Sequence, residues 1–89
     1  NFIILFQLGF LYYSNSDFDR AIAAFENAIA INPYYADAKY FLGVAYAEKG
    51  NREAAMKQFE EIRTLNPDNA EIKRVIKNMT EGRKPLQDQ

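Results

Sequence analysis

Glu60 and Glu61 are the residues whose types come nearest to chemistry, because two neighbouring carboxylates offer a general acid and a general base. Their spacing works against that role. Adjacent positions on a helix point about 100° apart, so the pair does not converge on one substrate atom and reads as a solvated face. The chain has no Cys, His or Trp. That removes disulfides, thiolate and imidazole metal ligands, Cys–His nucleophile pairs and Ser-His-Asp machinery. No glycine-rich phosphate loop or metal-ligand spacing appears either, so neither catalysis nor a cofactor or metal is expected. The bases Lys73, Arg74, Lys77, Arg83 and Lys84 suggest an anion or nucleic acid. Flanking acids dilute them, no aromatic interleaves with them, and a net charge of -1 gives no global pull toward nucleic acid or an anionic membrane. They read as a solvated end, with no nucleic-acid partner and no direct membrane contact expected.

Function must then come from a surface, and the elements that build it follow from the pattern. At 89 residues the chain is one small domain or a piece of a larger protein, with modest burial and marginal stability. It begins with Asn rather than Met, which suggests an upstream portion. The apolar opening FIILFQLGFLYY has no basic n-region and no small-residue cleavage site. At about a dozen residues it is also too short to cross about 30 Å of hydrocarbon, although it could be the end of something longer. Cysteine usage leaves the compartment open, with the cytoplasm as the default.

Apolar periodicity gives the helices. In Phe2–Tyr13, residues Leu5, Leu8, Gly9 and Tyr12 fall at i, i+3, i+4 and i+7. Asp17 is a candidate N-cap for a second helix carrying Phe18, Ala21, Ile22, Phe25, Ala28 and Ile29, stopped by Asn32-Pro33. A third helix spans Tyr35–Lys49 and stops at Gly50-Asn51; a fourth spans Arg52–Leu65 and stops at Asn66-Pro67. Gly50 suits the left-handed position after a helix, where Ser16, its counterpart, would cost up to about 1 kcal/mol. Asp68 and Glu71 suggest a capping box for a fifth helix. On that helix Ile72, Val75, Ile76 and Met79 form one stripe, with Lys73, Arg74, Lys77 and Asn78 expected to face away.

The chain repeats itself. Residues 2–35 laid over 36–69 without a gap match at Leu8/Leu42, Gly9/Gly43, Tyr12/Tyr46, Ala21/Ala55, Phe25/Phe59, Glu26/Glu60, Asn32/Asn66 and Pro33/Pro67. A helical period of 34 residues implies stacked helix pairs. A mid-helix Gly costs about 1 kcal/mol against Ala. Meeting that cost twice at one phase implies a close crossing, with Ala21 and Ala55 offering small faces to it and the aromatics filling the space between successive pairs.

This pattern resembles the tetratricopeptide repeat family. Leu8, Gly9, Tyr12, Ala21, Phe25, Ala28 and Pro33 carry the resemblance in the first unit. Leu42, Gly43, Tyr46, Ala55, Phe59 and Pro67 carry it in the second, where Ile62 replaces the later Ala. Leu5 and Lys39 stand where the family has Trp. The resemblance implies an all-α, right-handed α-solenoid of antiparallel helix pairs with five helices: repeat units at 1–35 and 36–69, a capping helix at 70–81 and a flexible polar tail at 82–89.

It also implies a non-catalytic protein–protein interaction scaffold that holds a peptide or helix on its concave face. Carried over by position, the groove residues are Ile3, Phe6, Phe10, Tyr13 and Ser14, then Asp37, Tyr40, Val44, Ala47 and Glu48, then Glu71, Arg74 and Asn78. Of these, Ile3, Phe6, Phe10, Tyr13, Tyr40, Val44, Arg74 and Asn78 are the candidate contacts, suited to an apolar peptide or helix. The branch of the family that clamps chaperone C-terminal carboxylates uses Lys and Asn where this chain has Phe6, Phe10, Tyr40 and Val44, and an anion would find no donor there. The bland alternative is that these aromatics are inter-helix core. Separately, the first helix is apolar all round, which normally marks a buried helix. Phe2, Ile3, Phe6 and Phe10 are therefore expected to support self-association into a homo-oligomer, unless an upstream helix covers them.

Overall fold

The computed structural model describes residues 1–87, and these form five α-helices with no strand among the described residues. They are α1 (Phe2–Ser14), α2 (Phe18–Ile31), α3 (Ala36–Glu48), α4 (Arg52–Leu65) and α5 (Ala70–Thr80). α1 packs on α2 and α3 on α4 as antiparallel pairs; α2 joins the pairs by packing on α3, and α5 closes the stack against α4. Tyr35 and Lys49 fall just outside α3 as its caps.

Local chemistry explains the boundaries. The side chains of Asp17 and Asn51 accept from the amides of Arg20 and Ala54, satisfying N–H groups that the first turn leaves open. The cap of α5 is Asn69, not Asp68: its side chain accepts from Ile72 N at 3.1 Å. With the start moved by one residue, Glu71 no longer closes a capping box and is available to other helices. Ser16 (φ 60°) and Gly50 (φ 84°) are both left-handed, so the first inter-helix turn carries the strain that Gly relieves in the second.

The two helix glycines make room for rings. A Cβ built on Gly9 would lie 2.7 Å from Phe25 Cδ1, and one on Gly43 would lie 2.6 Å from Phe59 Cε1. Both phenyl rings are fully buried. The close approach is thus Gly to Phe within each pair, rather than Gly to the small faces of Ala21 and Ala55. Phe25 gathers Ala21, Ala28, Ala38 and Leu42 into one core. Phe59 gathers Ala55, Ile62 and Val44 with the α5 stripe of Ile72, Val75, Ile76 and Met79 into the other.

Lys39, in the place of the family's Trp, is buried, and its ammonium pairs with Glu61 at 2.5 Å. Two expectations need correction. Asn78, expected to face away from the apolar stripe, is 0% exposed. The tail expected to fray from residue 82 instead turns back: Gly82 is left-handed, Arg83 N donates to Asn78 O at 2.8 Å, and Pro85 is buried. The remainder of that expected tail, residues 88–89, lies outside the described residues.

Candidate binding groove

The repeat allows equivalent faces to be compared within one molecule. Ala38, Leu42 and Ala45 of α3 are 0%, 2% and 0% exposed. Their counterparts 34 residues earlier on α1, Ile4, Leu8 and Leu11, are 61%, 40% and 59% exposed. The register is the same; the difference is that α2 packs on α3 and, among the described residues, no helix packs on that side of α1. Larger side chains stand on the open face than on the closed one.

A second face of α1, carrying Phe2, Phe6, Phe10 and Tyr13, turns toward the following pair. Phe2 and Phe6 rest against Tyr35, with ring centroids 5.1 and 5.2 Å apart. Phe10 and Tyr13 meet Phe41 edge-on at 5.1 and 5.5 Å, and Tyr40 meets it at 5.2 Å. Phe41 is the hub of this aromatic surface, and sequence reasoning missed it because its counterpart in the first unit is Gln7. The signal available was the run Tyr40-Phe41 on a helix whose neighbour is aromatic at 6, 10 and 13.

Beyond Tyr40 the surface becomes polar. A cleft of about 400 Å³ is bounded by Asp37, Tyr40, Phe41, Asn69, Glu71 and Ile72. Tyr40 Oη donates to Glu71 Oε1 at 3.1 Å, and Arg74 pairs with the same oxygen at 3.1 Å. Desolvation, then the adjoining Glu71 carboxylate, pushes the Tyr40 phenol up to about 12, so it remains a donor across the working pH range. Burial, then Glu48, raises Tyr13 likewise. The cleft thus joins aromatic area to a phenol, a carboxylate and a guanidinium.

The candidate contacts separate into three groups. Phe6, Tyr13, Tyr40 and Arg74 are half-buried, and Ile3 and Phe10 are exposed. Val44 and Asn78 are buried and present little surface: α5 packs against Val44, and residues 83–87 turn back beside both. Of Phe2, Ile3, Phe6 and Phe10, the residues named for self-association, Phe2 and Phe6 are half-buried against other rings of the chain and Ile3 and Phe10 are exposed; Ile4, Leu8 and Leu11, not named for it, hold the open face.

Several of the polar candidates are engaged within the chain. Glu61 holds Lys39 and Glu60 pairs with Arg63. Arg83 is bound to Asn78 and Glu81. Among the described residues no cluster of three or more Asp, Glu, His or Cys is placed to hold a metal, and no helix is long and apolar enough to cross a membrane.

Known proteins share this pattern. A tetratricopeptide repeat family profile matches residues 12–78. Superkiller protein 3 of Schizosaccharomyces pombe is 36% identical over 70 residues, covering 79% of this chain and 5% of that protein. The tetratricopeptide repeat domain-containing protein PYG7, chloroplastic, of Arabidopsis thaliana is 37% identical over 62 residues, covering 70% of this chain and 21% of that protein. The chain therefore spans only a small fraction of the length of these relatives.

Proposed function

The chain belongs to the tetratricopeptide repeat family, and on that footing we propose that it is a non-catalytic scaffold that binds an apolar peptide or amphipathic helix on its concave face. One observation carries the reading: Phe6, Phe10, Tyr13, Tyr40 and Phe41, from the first helices of both pairs, form one continuous aromatic surface that ends in a polar cleft. Buried aromatics supply most of the energy of such interfaces, and Glu71 and Arg74 fix direction. Selection from a displayed random peptide library is expected to yield apolar-rich binders. Tyr40→Ala should weaken them about tenfold or more while leaving the helical circular-dichroism signal intact. Binders indifferent to Tyr40→Ala, or none at all, would remove the proposal.

A second reading is self-association, and the register comparison favours it. The face that α2 covers on α3 is open on α1, and it is richer in large side chains. Each such side chain buried is worth roughly 1.5–3 kcal/mol, so Ile4, Leu8 and Leu11 can drive two copies together through α1. Light scattering across about a hundredfold concentration range should show mass rising with concentration, as mass action requires. Leu8→Glu with Leu11→Glu should return a monomer. A wild-type monomer throughout that range refutes the pairing.

A further inference from the structure

Within that groove reading, we infer that the far end of the groove is a seat for a proline-led turn, filled in the free chain by its own residues 84–87 and yielded to a partner that carries a similar turn. The seat centres on Asn78. This side chain is fully buried on the innermost face of α5. Its Nδ2 donates to Pro85 O and to Gln87 O, both at 2.9 Å, and its Oδ1 accepts from the Arg83 guanidinium. One amide thus reads two main-chain carbonyls of a tight turn, closed by Gln87 N donating to Lys84 O at 3.2 Å.

A carbonyl carries no side-chain identity, so these contacts recognise the turn and not its sequence. Side-chain preference comes from the surroundings. Pro85 is buried, whereas Leu86 is 41% exposed and borders a cleft of about 450 Å³ that Tyr13, Val44 and Glu48 also line. Among the described residues, Lys84, Pro85, Leu86 and Gln87 line that cleft without filling it. A larger apolar residue after the proline would bury more area than Leu86 does. The Glu48 carboxylate favours a base before the proline, as Lys84 is here. The competing segment therefore has the form base, proline, large apolar residue, in a turn. A covalently tethered segment has a high local concentration, so a weak contact suffices to hold it.

The test is amide NMR on the full chain, using as probes an acetylated peptide of residues 81–87 and the same peptide with Leu86→Phe. Pro85→Gly with Leu86→Ser should loosen the resident turn and move the backbone amide signals of Tyr13, Val44 and Glu48 and the side-chain amide signal of Asn78. Millimolar probe should then move them back toward the wild-type positions, with about tenfold weaker binding to the wild-type chain, where the seat is occupied. The Phe version should bind more tightly than the Leu version. Asn78→Asp removes both donors in nearly the same volume and should abolish probe binding; if that variant does not fold, the tail variant decides alone. Unmoved signals in the tail variant, or equal probe binding to both chains, overturn the inference. No outside partner enters this titration. Library peptides indifferent to Tyr40→Ala sink the groove reading while the seat stands, and probe peptides that bind both chains equally sink the seat alone.

Discussion

Phe59→Ala is expected to lose about 3–5 kcal/mol, the usual cost of deleting a fully buried phenyl group and leaving its cavity. Whole-domain stabilities run near 0.05–0.15 kcal/mol per residue, so a chain of this size loses a large share of its total. Urea unfolding monitored by circular dichroism reads this directly. The ring joins α3, α4 and α5, so the whole second pair should go with it. The contact with Gly43 sharpens the test. Gly43→Ala gains about 1 kcal/mol of helix propensity. It also forces a Cβ to within 2.6 Å of Phe59 Cε1, and overpacking of this kind costs about 1–3 kcal/mol. The single change should destabilise. In a Phe59→Leu background the same Gly43→Ala should become neutral or favourable, since the ring is no longer there to collide with. Strict additivity of the two changes would show that ring and glycine are not coupled.

Glu61→Ala should cost about 1–3 kcal/mol, because it strands the buried Lys39 ammonium without its partner. The magnitude is held below that of a fully buried pair because Glu61 itself keeps partial contact with water. Glu60→Ala, one residue away, breaks only an exposed pair with Arg63 and should stay within about 0.5 kcal/mol. Replacing both partners, as Lys39→Met with Glu61→Gln, should recover most of the loss or exceed wild type, since an apolar stem buries without desolvating a charge. Thermal melts of the four chains decide it. Equal effects of the Glu60 and Glu61 changes would mean that the Lys39 ammonium reaches water by another route.

The Lys39–Glu61 pair also marks where sequence reading stops. Glu60 and Glu61 look alike in sequence and face different surroundings, because only one of them lies opposite a lysine on the facing helix. Lys39 occupies a core register position, and its charge gives no hint that a partner 22 residues away will accept it. Asn78 is a similar case. Its place at the end of α5 suggested an outward polar face, and the turn at Lys84–Gln87 made it a buried clamp. The family resemblance named Phe6, Phe10, Tyr13 and Tyr40 as groove positions, and their rings gather around Phe41. It named Val44 as well, which is buried, in one core with the α5 stripe and beside the returning tail.

What the sequence determined by itself is everything set by contacts along the chain or by its own repetition. The helices follow from apolar periodicity and from caps a few residues away, and the helix pairs from a phrase spelled twice at a distance of 34 residues. The glycines at 9 and 43 announced a close crossing before its partner was known. The tertiary structure alone decided which faces meet water. Leu8 and Leu42 occupy equivalent positions with the same side chain, yet one is 40% exposed and the other 2%, because burial depends on whether a neighbouring helix is present and not on the residue.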